Sequence, residues 1–219
     1  PSSMTDHQVF YPALLDISGK SCVIVGGGAV AERKARSMLA AGAKLTVISP
    51  RLSAGLLRLK LRGAIIHHSR KYCEGDLRGA MIVVAATSDP EVNRRIADDA
   101  DCLVNVVDQP KAGNMMSPSI VRRGMVTFTV ATGGVSPAAV KTIRKELQKY
   151  YPKAFGPYIR LIGKLRKQAL ATIKDRKTRE KLFRELASAP MFEQLRVSGF
   201  RQTAAQAKTL YEKYRKGKV

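Results

Sequence analysis

The sequence has no tryptophan, only three cysteines and no long apolar run. A membrane-crossing helix needs ~20 consecutive apolar residues, so no spanning segment and no membrane partner are expected. Cys22, Cys73 and Cys102 show no metal-ligand spacing, and no metal site is expected. Their odd number, and a polar start without a signal-peptide layout, point to a reducing cytoplasm rather than a disulfide framework. Acidic residues are scarce as well, with 17 Asp+Glu against 39 Lys+Arg, net +22. The excess is uneven: residues 140–219 hold 22 basic and 6 acidic residues, net +16, and residues 1–139 carry only +6. Such a field favours polyanions. Nucleic acid is one class, a heavily carboxylated small molecule another, and plain solvation of basic helix faces a third. A nucleic-acid binder should interleave aromatic with basic residues or carry a helix-turn-helix. Neither is found, so no nucleic-acid partner is expected.

What is present is organised around residues 21–31, Ser-Cys-Val-Ile-Val-Gly-Gly-Gly-Ala-Val-Ala. Cys22–Val25 reads as a strand and Ala29–Ala41 as a helix, with three glycines between them. Strand, glycine turn and helix together make a dinucleotide-site pattern, where glycines alone make only a turn. Gly26 allows the tight turn. Gly28 lets a pyrophosphate approach the backbone, and Ala31 is small enough for helix–strand packing. Ala29 and Val30 then start a helix whose free N–H groups hold the anion.

At 219 residues and 45% hydrophobic content the chain can bury a core of one or two domains. Strands are expected at Lys44–Ile48, Ala64–His68, Met81–Ala86, Cys102–Val107 and Val126–Ala131. Helices are expected at Ser53–Arg62 and Pro90–Asp99. Strands alternating with helices of about ten residues imply a parallel sheet. Residues 9–19 read as an edge segment packing onto this unit. Ser136-Pro137 opens a further helix by the cap-then-proline rule. Beyond it only basic amphipathic helices are legible, at 153–175, 176–188 and 201–216, with breaks near Ala189-Pro190 and Ser198-Gly199. The expected fold class is α/β: a Rossmann-like parallel sheet domain, 1–112, then a segment 113–150, then a small helical C-terminal domain, 151–219.

Ligands of an open parallel sheet sit beyond the carboxyl ends of its strands. Ser49-Pro50-Arg51 follows the second strand, where a ribose-binding acid often stands. None is present, so Ser49 or backbone meets the ribose, and Arg51 leaves NAD against NADP open. Thr87, after the fourth strand, stands among small residues that leave room for a cofactor, or is an ordinary strand end. Asn105-Val-Val-Asp108 ends the fifth strand with a carboxylate, either a turn former or a reacting group. Thr132-Gly133-Gly134 is a second glycine turn into a helix, able to hold a carboxylate or merely to connect. His67 and His68 adjoin and so face opposite sides of a strand, which argues against a shared metal.

Several motifs in order resemble one family. They are Tyr11-Pro12 with Leu14, Val25-Gly-Gly-Gly-Ala-Val-Ala-Glu-Arg-Lys34, Ala86-Thr87 with Asn93, Asn105 to Asp108, Pro118-Ser-Ile120, and Thr132 to Pro137. The chain resembles the precorrin-2 dehydrogenase/sirohydrochlorin ferrochelatase family, the dehydrogenase half of sirohaem synthase. The resemblance implies NAD-dependent oxidation of precorrin-2 to sirohydrochlorin in sirohaem, a porphyrin-type tetrapyrrole. In some members it also implies insertion of ferrous iron, a lyase activity. It further implies a homodimer, with 113–150 as the dimerisation region. Asp108 stands at the family's essential aspartate, and Ala29-Val30 and Pro50-Arg51 match its NAD contacts. Asn105, Thr132 and Gly133 fall at the substrate side. The competing reading is a nucleotide-sensing regulatory module with the same fold and no reaction.

Overall fold

A computed structural model describes residues 10–107 and 109–217. The chain forms two compact units, Pro1–Ser117 and Pro118–Val219.

The first unit is a five-stranded parallel sheet. Its strands are β1 (Ser21–Val25), β2 (Lys44–Ile48), β3 (Ile66–His68), β4 (Ile82–Ala85) and β5 (Leu103–Val106). Their order across the sheet is β3-β2-β1-β4-β5. Helices α1 (Ala29–Ala40), α2 (Ala54–Leu61) and α3 (Pro90–Asp98) connect them. The central strands β1, β2 and β4 are mostly apolar on both faces because both faces are covered, whereas the short edge strand β3 is exposed at Ile66 and His68. Cys22, Ile24 and Val47 pack with Ala31, Ala35 and Leu56 of α1 and α2. Val23, Val25 and Val83 pack on the opposite face with Ile96 of α3. Burying each such Val, Ile or Leu contributes ~1.5–3 kcal/mol.

After β3 the chain returns to the other side of β1, so the strand order reverses between β1 and β4. The crevice at such a reversal is where open α/β sheets hold ligands. Val25 lies level with both Ile48 and Ala85, so the turns after β1, β2 and β4 emerge side by side.

Two expectations for this unit are corrected. Residues 10–19 pack onto the unit only at their end: Ile17 is buried in its core, but Tyr11 and Leu14 are 90% and 85% exposed. The turn closed by Lys20 N–H on Ile17 O brings in only the last apolar residue of the run. The strand at Val126 is not part of the parallel sheet. It is β7 (Val126–Val130), antiparallel to β6 (Ser119–Arg123) in a separate two-stranded sheet. Gly124, at φ 64°, makes the two-residue hairpin turn that only antiparallel strands allow.

In the second unit α4 (Pro137–Tyr150) packs on this hairpin. Arg123 ends α4 by donating to Gln148 O at 3.1 Å and to Tyr151 O at 2.5 Å. Helices α5 (Phe155–Thr172), α6 (Arg176–Leu186) and α7 (Ala189–Arg215) enclose Phe155, Tyr158, Leu165, Leu182, Leu195 and Tyr214. The break expected at Ser198-Gly199 is a kink, with Gly199 at φ 74° inside α7. Residues 189–198, not read as helix from sequence, form its first part.

Candidate functional site

Each glycine of the turn after β1 has a separate geometric reason. Gly26 sits at φ 123°, and a Cβ there would lie 2.2 Å from Ala86 O. A side chain would drive the β1 and β4 turns apart. Gly27 has ordinary backbone, but its Cβ would lie 1.8 Å from Arg51 O and 2.6 Å from Ser49 Oγ. The sequence pattern leaves Gly27 as a spacer, whereas the structure makes it the seat of the β2–α2 loop, fixed by Ser53 N–H donating to Gly27 O at 2.7 Å. A Cβ on Gly28 would meet nothing within 4 Å. The open space the pattern asks for is therefore at Gly28.

Helix α1 begins at this open side. Its first internal bond is Glu32 N–H to Gly28 O at 3.0 Å, so Ala29 and Val30 present amides ahead of it. Gly28, as N-cap, supplies no side-chain acceptor. The other two helices of the unit are capped: Ser53 Oγ accepts from Leu56 N–H at 3.2 Å, and Asp89 Oδ1 from Glu91 N–H at 3.0 Å. An uncapped helix start beside free space is an anion site. The residues present fit a dinucleotide pyrophosphate there.

The β2–α2 loop is held from below. Buried Ser49 donates from Oγ to Arg51 O at 2.7 Å, which leaves Pro50 and Arg51 as the exposed groups of the loop. His67 Nε2 lies 2.8 Å from Ser49 O, and Lys60 Nζ lies 3.3 Å from His67 Nδ1. Since an ammonium only donates, Nδ1 accepts and Nε2–H donates to Ser49 O. Glu32 of α1 accepts from Ser53 Oγ at 2.7 Å and from Arg36 at 2.7 Å. These bonds, the Ser53 hydroxyl's first, hold the Glu32 carboxyl below its ordinary range. Glu32 thereby ties α1 to the loop, a role its spacing of 21 residues from Ser53 does not announce. Half-buried Lys34 lies one turn into α1, and burial pulls its ammonium down to about 8, with Arg33 adding repulsion.

Thr87 is locked rather than free. Its N–H and Oγ1–H both donate to Asn93 Oδ1, at 3.1 and 2.8 Å, and Asn93 Nδ2 donates back to Thr87 O. These three hydrogen bonds fix the β4–α3 turn against which Gly26 packs. Asn105 is buried and donates from Nδ2 to Met115 O at 3.0 Å. Asn114 reinforces the same return, accepting from Val104 N–H at 2.7 Å and donating to Cys102 O at 2.9 Å. Residues 113–117 therefore lie along the edge of β5 as part of the first unit. Asp108 lies outside the described residues. The structure thus brings Gly26, Gly28, Ala29, Val30, Ser49, Pro50, Arg51 and Thr87 to neighbouring strand ends.

Thr132 and Gly133 belong to the second unit. Thr132 Oγ1 accepts from Ser136 N–H at 3.2 Å, and Ser136 Oγ accepts from Ala139 N–H at 3.2 Å. Two amides at the start of α4 are thereby satisfied by side chains, unlike those of α1. Gly133 and Gly134 take φ of 61° and 87°. Among the described residues, no group of three His, Cys, Asp or Glu could hold a metal ion. No helix among them is long and apolar enough to cross a membrane.

The reversed strand order and the uncapped helix behind a glycine turn define a dinucleotide-binding protein of the Rossmann class. A family model described as "Putative NAD(P)-binding" matches residues 13–119. A sirohaem synthase from Chromobacterium violaceum is 38% identical over 185 residues, 83% of this chain and 39% of that protein. Another, from Thioalkalivibrio sulfidiphilus, is 35% identical over 200 residues, 90% of this chain and 40% of that one. The chain thus spans about two fifths of the length of these relatives. The solved structure of SirC, a precorrin-2 dehydrogenase, matches with a TM-score of 0.76 and 27% identity, covering 91% of this chain and all of that one. The chain belongs to the precorrin-2 dehydrogenase/sirohaem synthase family.

Proposed function

We propose that this chain catalyses the NAD⁺-dependent oxidation of precorrin-2 to sirohydrochlorin. The supporting observation is the likeness to a precorrin-2 dehydrogenase across that protein's whole length, together with an anion cradle at Gly28 that fits its cofactor. NAD⁺, when bound, supplies the hydride acceptor. The amides of Ala29 and Val30 hold its pyrophosphate, and the Pro50-Arg51 edge meets its adenosine end. Thr87, fixed by Asn93, closes the β4 side without a bulky group. Asp108, at the family's essential aspartate, takes the proton lost with the hydride, as a carboxylate can. Asn105 positions the return segment along β5, and Thr132 and Gly133 shape the substrate-side turn at the start of α4.

The same reading makes 113–150 the dimerisation region of a homodimer. In its favour, α4 buries none of its side chains within the second unit, and Val135 and Ile143 are exposed. Sedimentation equilibrium should give twice the chain mass; a monomer at micromolar concentration removes the dimer. The three free cysteines suit a reducing cytoplasm. The enzymatic test is anaerobic incubation of the full chain with precorrin-2 and NAD⁺, followed by absorbance. Sirohydrochlorin should appear with one NADH per oxidation, and no NADH would overturn the reading. Adding ferrous iron to the same cuvette tests chelation, which predicts conversion of sirohydrochlorin to sirohaem faster than without protein.

A further inference from the structure

The second unit contains a groove that the dehydrogenase reading does not use. It measures about 660 Å³ and runs between α5 and α7, within the range of small-molecule sites. Leu161 and Leu165 line its α5 wall, and Tyr211 lines the α7 wall. Leu165 and Tyr211 are buried. The Tyr211 hydroxyl is shared with Thr172 Oγ1 at 3.1 Å. Lys164 stands on one rim, and Lys208 and Arg215 on the other. The one carboxylate in the lining, Glu212, is paired with Arg215 at 2.7 Å. Lys164 and Lys208 make no ion pair or hydrogen bond among the described residues.

Helical spacing explains the layout. Leu161, Lys164, Leu165 and Gln168 fall on one face of α5, and Lys208, Tyr211, Glu212 and Arg215 on one face of α7. Two rows about 10 Å long, at 1.5 Å per residue, thus flank a shared apolar floor. Cations facing each other across such a floor repel unless an anion lies between them. Apart from the paired Glu212, no carboxylate lines the groove. Of the unit's six carboxylates, Glu180, Glu193 and Glu212 pair with arginines of their own helices. Asp175 caps α6, Glu185 accepts from the Tyr214 hydroxyl, and the sixth, Glu146, belongs to α4 and does not line the groove.

We propose that the α5–α7 groove is a binding site for an organic polycarboxylate with a flat apolar body, held by Lys164 and Lys208 from opposite rims over Leu161 and Leu165. Inorganic anions lack the apolar face, and a neutral aromatic lacks the charge. The identification of the occupant as a polycarboxylated tetrapyrrole, substrate or product, rests on the enzymatic reading above; the groove's charge and floor do not. It would hold a second tetrapyrrole on the chain and keep it near the protein between reactions.

The probe is uroporphyrin I, a stable octacarboxylate macrocycle, titrated by fluorescence into the full chain, with NAD⁺ affinity and circular dichroism measured on each sample. Lys164→Glu with Lys208→Glu should weaken binding by roughly tenfold or more, given two exposed charge contacts reversed. Lys177→Glu with Lys181→Glu, the same charge change on α6, should weaken it by only about twofold, through the screened general field. Lys164→Gln with Lys208→Gln should fall between the two. Mesoporphyrin, a dicarboxylate, should bind more weakly than uroporphyrin, and inorganic phosphate should not compete at equal concentration. Equal losses in the α5/α7 and α6 variants would mean a diffuse basic surface and overturn the site, as would unchanged affinity in the first variant. If uroporphyrin binds as expected but precorrin-2 is not oxidised, the groove stands and the enzymatic reading falls. If oxidation proceeds while the charge-reversed groove binds uroporphyrin normally, the groove alone falls.

Discussion

The two units use charge in opposite ways. Residues 1–117 hold 15 basic and 11 acidic residues, and residues 118–219 hold 24 and 6. In the first unit, carboxylates fix loops: Glu32 holds Ser53, Asp76 holds Arg70, and Asp99 accepts from the Tyr72 hydroxyl. Its near-balance leaves the anion-binding work to backbone, at the uncapped start of α1. Among the described residues of the second unit most cations make no ion pair; side chains cap the start of α4 at Ser136 and of α6 at Asp175, while α5 and α7 start without one. Backbone amides suit a diphosphate that must be placed accurately. Long, mobile lysines suit a ligand that is attracted first and oriented later. On the proposed function, the reaction belongs to the first unit and anion attraction to the second.

The largest expected effect tests that assignment directly. Asp108→Ala should lower precorrin-2 turnover by ~10²–10⁴-fold, the usual worth of a positioned acid–base group. NAD⁺ affinity should hold, since the glycine turn is untouched. A stable variant with the parent rate would remove Asp108 from the reaction and leave the chemistry unassigned between the units.

The second effect compares their glycine turns. Gly26→Ala combines a strained φ with a Cβ 2.2 Å from Ala86 O. Overpacking against rigid backbone and the positive φ together should destabilise the first unit by about 3 kcal/mol. Gly133 also has a positive φ, but a Cβ there meets nothing within 4 Å. Gly133→Ala should therefore cost only about 1 kcal/mol, the strain alone. Urea unfolding of both variants measures the difference, and equal losses would show that close approach at Gly26 adds nothing.

How much of this was legible in the sequence follows the same division. β2 was read with its observed limits, Lys44–Ile48, because its apolar run is bounded by Gly42 and by Ser49-Pro50. The glycine turn was legible as a pattern, yet the pattern left Gly27 without a role. Its closeness to Arg51 O arises from the packing of a loop 24 residues away, which no local signal carries. Glu32 falls inside the glycine-turn motif, and its bond to Ser53 is equally non-local. β6 was missed because Arg122 and Arg123 break its apolar character. The first part of α7 was missed because Gly199 reads as a stop, whereas the helix tolerates it as a kink supported by Thr203 Oγ1 donating to Gly199 O at 3.0 Å. Local signals served where backbone packing is regular and failed where distant segments meet.

A third variant sharpens the backbone side of the comparison. The open space at Gly28 accepts a side chain, so Gly28→Asp should fold. Its carboxylate would face the pyrophosphate at the start of α1. Two like charges ~4 Å apart repel by ~1–4 kcal/mol between bulk water and a protein surface. NAD⁺ affinity should fall by about a hundredfold, within that span, while uroporphyrin binding by the second unit stays unchanged. Calorimetry with both ligands on one sample reads both results. Unchanged NAD⁺ affinity would place the pyrophosphate elsewhere, and joint loss of the two ligands would end the separation of roles.

The smallest effect concerns carboxylates that do similar jobs in the two units. Arg70 meets Asp76 through two N–H groups, at 2.7 and 2.6 Å, and Cys73 N–H adds a third bond at 2.8 Å. The Arg70 bonds, first among the causes, hold the Asp76 carboxyl below its ordinary range. Asp175 is likewise held low, by the Thr178 hydroxyl and amide at the start of α6. A depressed folded value means stability that is fully present above the unfolded value, ~3.9, and is lost as pH falls through the folded one. Asp76→Asn should thus cost about 1 kcal/mol at pH 7, as an ordered but accessible ion pair does. The difference from the parent should shrink below pH ~4 and vanish once the parent carboxyl is protonated. Asp175→Asn should follow the same pH course, because Asn accepts the same amide bond without charge. The two should part with salt. Asp175 sits in the strongly basic unit, so part of its advantage is long-range attraction that screening removes. The Asp76 contribution is a direct bidentate contact in a nearly balanced unit and should change less. Melting temperatures of parent and variants at pH 3 to 7, each at low and high salt, carry the comparison. If Asp76→Asn proved the more salt-sensitive of the two, the contrast between a unit held by local pairs and a unit steeped in uncompensated charge would fail at the level of single carboxylates.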